Sequence, residues 1–263
     1  MELRISTALL AAALVLPQSA TAALEPQQVF SADYAVSFLG LTVARSTVVS
    51  RFGATSYAVD GSIRSAGLAA FFDSTTARTA VSGKIGKGGV SPDSYSVDYV
   101  YGNKNKKTSL QFAKGNVVKI ANSPPLPPRR QDWVAVDAKE LLAVADPISA
   151  TLIEAKDARS VCGRTIKAFD GEIRADLALS YVVTEPVSIG GHEVEAVTCR
   201  GHFKPVAGYH RGNKSIQYLS TKSKIMLKFA QLGKTGIYAP IQATVGTKVG
   251  TFTIRAKRLE ATQ

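Results

Sequence analysis

Residues 161–200 read VCGRTIKAFDGEIRADLALSYVVTEPVSIGGHEVEAVTCR. Two runs of alternating apolar residues meet at Asp170-Gly171, the dipeptide a tight hairpin needs because glycine takes positive φ at little cost. A third alternating run carries Cys199. The period of two predicts strands rather than helices. The spacing of Cys162 and Cys199, the two cysteines of the chain, suits a disulfide tying the third strand back to the first.

The compartment supports that pairing. Arg4 precedes an apolar run from Ile5 to Leu16, and Ala20-Thr21-Ala22 has the small-x-small form of a cleavage site. This is the layout of a secretory signal peptide, expected over 1–22. Pro17-Gln18-Ser19 ends the apolar run short of the ~20 residues a membrane span needs, and no later stretch is long enough, so the mature chain is not expected to span a membrane. In an exported chain two thiols read as a disulfide. The net charge is +12, and losing Glu2 and Arg4 together leaves it unchanged. Such a field favours anionic surfaces, while export argues against nucleic acid. Membrane head groups, lipopolysaccharide and acidic envelope polymers remain as partners, although lysines that only solubilise sheet edges would give the same composition.

The alternation extends over the whole mature chain, expected as a single β-rich domain over 23–263. Tyr34, Val36 and Phe38 alternate up to a turn at Gly40. Arg51-Phe52-Gly53 makes a second break, and Tyr57, Val59 and Ile63 continue the meander. Strands that follow one another without helices pair antiparallel. Tyr95, Val97, Tyr99 and Tyr101 form one apolar face of a further strand, and Ile225, Leu227 and Phe229 of another. The apolar cluster Gly67–Asp73 interrupts the pattern, with Phe71 or Phe72 expected to plug one end of a sheet. Residues 82–89 read as a basic glycine loop and residues 203–209 as another loop. The proline-rich stretch 123–130 cannot join a central strand and separates the two halves as an extended crossover anchored by Trp133. Asp137 is expected to cap a short turn through Leu142. Asp146-Pro147, a capping residue followed by proline, is expected to open a helix over Ile148–Ala155 laid on the sheet. The fold class is therefore mainly β: a long antiparallel meander forming an open curved barrel or β-spiral, carrying one or two short helices.

The search for reactive groups yields no catalytic, cofactor-binding or metal-ligating set. Cys199 and His202, three apart on a strand, fall on opposite faces. His192, His202 and His210 lack a metal-ligand spacing, although His202 and His210 flank one loop. Lys234-Thr235 follows Gly233 without the first glycine of a phosphate loop. Arg164 and Arg174 flank the Asp170-Gly171 hairpin and are expected to pair with Asp170 or Glu172 as structural ion pairs.

The order Gly89-Val90-Ser91-Pro92, Asp146-Pro147-Ile148-Ser149-Ala150, Cys162-Gly163-Arg164, Phe169-Asp170-Gly171 with Arg174, then Cys199 and Pro205-Val206-Ala207-Gly208 resembles the bacterial exported family called domain of unknown function 3108. The resemblance covers nearly the whole mature chain. It implies a β-rich protein of the Gram-negative envelope without an established catalytic role, and it supplies no site residues. The function expected is that of a non-enzymatic periplasmic protein supporting the envelope, binding a lipidic or anionic component in the concave face of its sheet. An envelope hydrolase and a purely structural or protein-interaction module are the alternatives.

Overall fold

The computed structural model describes residues 27–67, 70, 75–129 and 131–262. The expected signal peptide, and Leu68, Ala69 and Phe71–Asp73 of the apolar cluster, lie outside the described residues. The alternating runs form sixteen strands: β1 (Gln28–Phe38), β2 (Leu41–Phe52), β3 (Ser56–Ser65), β4 (Thr75–Gly86), β5 (Gly89–Tyr101), β6 (Lys104–Ala113), β7 (Asn116–Ser123), β8 (Trp133–Val134), β9 (Ile153–Glu154), β10 (Thr165–Phe169), β11 (Arg174–Ile189), β12 (His192–Ala207), β13 (Tyr209–His210), β14 (Ile225–Gln231), β15 (Ile237–Thr247) and β16 (Gly250–Thr262). One α-helix, α1 (Lys214–Thr221), lies among the described residues.

The large sheet runs in the order β10-β11-β12-β14-β15-β16-β1-β2-β3-β4-β5-β6-β7, with β9 added on β15. The pairing is antiparallel throughout. The first strand therefore sits mid-sheet, and the two halves of the chain wind away from it in opposite directions. No strand ladder joins β7 to β10, so the meander stays open, as the sequence predicts.

The seam between these two edges is filled by residues 143–146 and by the hairpin turn. Val144 N donates to Gly115 O (3.1 Å) and Ala145 N to Lys167 O (3.1 Å), while Phe169 N donates to Ala145 O (2.9 Å). Asn122 Nδ2, on β7, donates to Gly171 O (3.2 Å). These contacts occupy part of the backbone groups that an open sheet leaves at its edges.

Register decides what lies inside. Phe52, Tyr57 and Gly83 pair in a row across β2–β4, as do Ser50, Val59, Val81, Tyr95 and Leu110 across β2–β6. The large members of these rows are buried in one core with Val144, Leu152 and Phe169. A second core surrounds Cys162, Cys199, Val161, Ile166 and Phe229. The stripe Tyr95, Val97, Tyr99 and Tyr101 shares the inner face, but burial fades along it: Tyr95 is buried, whereas Tyr99 and Tyr101 emerge past the interior segment that covers the start of the row.

Several local expectations change. The helix predicted over Ile148–Ala155 is a single 3-10 turn, Ser149–Thr151, followed by β9. The segment is enclosed by the sheet, and Ile153-Glu154 and Ala155 take backbone partners from β15 and Gly236 instead of from each other. The turn after Asp137 is present as a 3-10 helix, Ala138–Leu141. The basic loop predicted over 82–89 is strand up to Gly86, because Gly83 pairs opposite Tyr57. The loop predicted over 203–209 is also strand through Ala207. Pro205 is tolerated there because β12 pairs with β14 only up to Gly201, so the proline nitrogen needs no partner on that side. Helix α1 had no reading in the sequence. It is capped by Asn213, whose side chain accepts from the Ser215 and Ile216 amides (3.0 and 3.2 Å), and it buries Ile216.

Candidate functional site

The site begins with the chain that leaves the seam. From Asp146 to Leu152 it passes under the inner face, and it emerges along β15 as β9. Asp146 is fully buried and accepts at Oδ1 from the amides of Ile148 and Ser149, each at 2.9 Å. It thus caps the 3-10 turn, and Pro147 follows it as predicted. Its Oδ2 has no hydrogen-bond partner among the described residues. Burial therefore raises the carboxyl pKa, opposed by its Ser149 and Ile148 hydrogen bonds. Ser149 Oγ lies 2.7 Å from Tyr57 Oη, and burial pushes the phenol pKa well up. Tyr57 reaches this far because a side chain on Gly83, opposite it, would meet the Tyr57 ring. The trio ties the interior segment to the sheet.

Beside that segment lies a cavity of about 350 Å³. Its walls are Phe30, Ala32 and Tyr34 of β1, Ser46, Val48 and Ser50 of β2, Val59 of β3, Leu227 of β14, residues of β15 and β16, and Pro147, Ile148, Thr151 and Leu152 of the crossing segment. The space has a local cause: Ala32, Ser46, Ser50, Ala239 and Ala243 stand at inward positions where neighbouring rows carry Phe, Val or Leu. The cavity extends from buried Phe30, Leu152 and Leu232 to Ile254, which is 42% exposed. Tyr34 supplies a polar edge. Its hydroxyl donates to Pro240 O at 3.0 Å, and burial lifts its pKa to about 12.

Of the motif residues picked from the sequence, Pro147 and Ile148 line the cavity and the others lie outside it. Cys162 and Cys199 form the disulfide, with Cα atoms 5.8 Å apart. Cys162, however, sits in the turn before β10 and not on a strand. The bond therefore anchors the end of the crossing segment to β12 instead of joining two strands. Asp170 caps its own turn, accepting from Glu172 N (2.9 Å) and Ile173 N (2.7 Å). The pairing predicted for the two arginines differs. Arg174 is buried and binds Asp176 (2.6 Å), Glu140 O and Ala175 O. Arg164 donates to Ser160 O (2.7 Å), and Glu172 pairs with Arg129 (2.8 Å). The alternation that points Arg174 inward beside β12 removes it from the turn carboxylates. Gly208 lies against the Glu172 carbonyl, where only a residue without a side chain fits, and Pro205 pairs with Ala175.

His210 Nδ1 lies 2.7 Å from Asp132 Oδ1 and packs on Trp133, whose ring is covered by the Arg129 guanidinium at 3.8 Å. This cluster anchors the end of the proline-rich crossover. Among the described residues no group of three or more His, Cys, Asp or Glu side chains could hold a metal ion, and none of the helices is long and apolar enough to cross a membrane. The outer face carries a larger polar groove of about 800 Å³, in which Arg45, Arg64 and Arg78 stand on β2, β3 and β4. Arg45 and Arg64 are direct cross-strand neighbours. Like charges so placed repel.

No curated protein matches the chain. Among solved structures, a beta-barrel-like protein of domain of unknown function DUF1849 from Brucella abortus aligns over 90% of this chain and 98% of its own, with 8% identity and a TM-score of 0.49. A "putative lipoprotein" from Parabacteroides distasonis aligns over 88% and 94%, with 9% identity and a TM-score of 0.35. The family model described as protein of unknown function (DUF3108) matches residues 33–257, the span that contains the seam, the interior segment and the disulfide, and the chain belongs to that family.

Proposed function

We propose that the protein is a non-enzymatic periplasmic component of the cell envelope that binds an acyl chain of an envelope lipid in the inner cavity. One observation carries the reading: a carbon-lined space of about 350 Å³ between the sheet and the crossing segment, within the ~300–1,000 Å³ typical of small-molecule sites. Apolar walls that face open space forgo packing contacts, which a bound chain supplies. The hydroxyl of Tyr34, whose oxygen can still accept a hydrogen bond, is placed to orient the polar end of such a ligand. Neither the Asp146–Ser149–Tyr57 trio nor the disulfide takes part, since both hold the wall in place.

Native mass spectrometry of the exported protein tests the reading. The wild type is expected to carry one lipid-sized adduct that organic extraction removes and added phospholipid restores. Ala243→Phe, which fills the cavity, is expected to lose the adduct while keeping the fold. An adduct-free wild type that takes up no lipid, or an Ala243→Phe variant that binds as the wild type does, would sink the proposal.

A further inference from the structure

At one end of the sheet the β1–β2 and β15–β16 turns lie side by side, and their side chains are apolar. Leu39, Leu41 and Val249 are 65%, 66% and 73% exposed, and Phe252 and Ile254 also reach solvent. These residues are contiguous. Phe38 is paired with both Leu41 and Phe252 across the strands, its ring 4.7 Å from that of Phe252, and Leu39 N donates to Thr251 O at 3.1 Å. A tight turn in water would normally present Asn-Gly here. This one presents Leu39-Gly40 with Leu39 at φ +48°, a left-handed conformation that is costly for a leucine. The chain thus accepts both backbone strain and exposed carbon at the same spot, and such coincidences mark functional surfaces.

The surroundings say what covers it. From Ala196 to Leu259 the sequence has twelve Lys and Arg residues and no Asp or Glu, so α1, β14, β15 and nearly all of β16 are cationic without internal compensation. Lys248 stands in the β15–β16 turn itself. The loop bearing Lys222 and Lys224 is fastened beside that turn through Gly246 N to Lys224 O (3.0 Å) and Ser223 Oγ to Gly246 O (2.6 Å). On the other side Arg45 of β2, four residues past Leu41, faces Arg64 of β3. None of these five cations has a carboxylate partner among the described residues.

From this geometry we infer that the paired hairpin tips form a docking surface for a bilayer bearing anionic head groups: Leu39, Leu41, Val249 and Phe252 enter the acyl boundary, and the surrounding lysines and arginines meet phosphates. An apolar tip within a cationic collar is the combination that binds such interfaces. The inference deepens the lipid-binding reading, because Ile254 belongs both to this end and to the cavity wall. Docking here would bring the cavity to the membrane surface. It nevertheless stands on different residues and fails separately.

Flotation of the purified mature protein with vesicles is the test. The wild type is expected to float with phosphatidylcholine vesicles containing phosphatidylglycerol, less so as salt rises, and weakly with phosphatidylcholine alone. Leu39→Asn combined with Val249→Ser should weaken partitioning about tenfold or more. Asparagine accepts the left-handed conformation more readily than leucine, so Leu39→Asn alone should hold or raise the thermal midpoint, which separates docking from damage. Lys248→Glu should weaken binding to the anionic vesicles only. Ala243→Phe, which closes the cavity and leaves the tips intact, should float like the wild type. A wild type that fails to float with anionic vesicles at low salt, or a Leu39→Asn/Val249→Ser protein that floats undiminished, overturns the inference. Loss of flotation in Ala243→Phe would assign attachment to capture by the cavity and overturn the docking surface as well.

Discussion

Replacing both cysteines by alanine should cost far more than two small truncations, and the structure says where. The bond spans 37 residues of sequence, for which the chain-entropy treatment gives about 4 kcal/mol at 25 °C. For a chain of this size that corresponds to a fall of roughly 8–15 °C in thermal midpoint. The effect should also be local. Cys162 ends the segment that crosses the interior, while Cys199 is buried on β12. Without the bond, residues 146–161 are held by β9, by the seam contacts, by the Tyr57–Ser149 contact and by the packing of Leu152, Ile153, Ala158 and Val161. Thermal unfolding with hydrogen exchange, on oxidised wild type and on Cys162→Ala/Cys199→Ala, measures both quantities. Amides of Ala150, Leu152 and Ala155, which bond to the turn and to Gly236, should lose protection well before those of β1, β2 and β16. A stability loss under about 1 kcal/mol, or protection lost uniformly over the sheet, would refute the assignment of the disulfide to the crossing segment.

Other consequences follow from single positions. Burial raises the Asp146 pKa, so between the ordinary aspartate value and the folded one the native state holds a proton that the unfolded chain has released. Stability should fall as pH rises through that window and level off above it. Asp146→Asn keeps the acceptor for the Ile148 and Ser149 amides and should flatten this slope in denaturant titrations at several pH values; an unchanged slope would remove the burial argument. Gly208→Ala puts a side chain at φ +80° into the Glu172 carbonyl and should cost at least ~3 kcal/mol. Gly191→Ala, at φ +88° with open space around it, should cost only about 1 kcal/mol, and equal midpoints for the two variants would contradict the packing described. Arg174→Ala strands Asp176 and the Glu140 carbonyl and should lower stability by on the order of 2 kcal/mol, more than Arg164→Ala, whose side chain is exposed and bonds to Ser160 O; the reverse order in denaturant midpoints would refute the assignment.

Much of the architecture is legible in the sequence because a two-residue period reports a half-buried strand directly. The Asp170-Gly171 turn, the Leu39-Gly40 turn, the proline-rich crossover and the cysteine pair all follow from local chemistry. The errors arise where tertiary contacts override local signals. Asp146-Pro147 is a sound helix start, and Asp146 does cap a turn, but the enclosing sheet supplies strand partners one turn later. Pro205 looks like a loop until β12 proves unpaired on that side. The cavity has a faint signal in Ala32, Ser46, Ala239 and Ala243, small residues at inward positions, yet finding it requires a register that brings β1, β2 and β15 around one space. The seam is invisible in sequence, since Gly115, Ala145, Lys167 and Gly171 come together only when the spiral has wound fully round.

Photocrosslinking decides whether the inner cavity receives an acyl chain. A fatty acid or phospholipid carrying a diazirine in its chain is bound to the native protein, irradiated, and the labelled peptides are sequenced. Labels are expected on Val48, Val59, Ile148 and Leu232, which share the cavity wall, and should be lost in Ala243→Phe. Labels confined to the outer face around Arg45 and Arg78, or no label above an unfolded control, would contradict acyl-chain binding in the cavity.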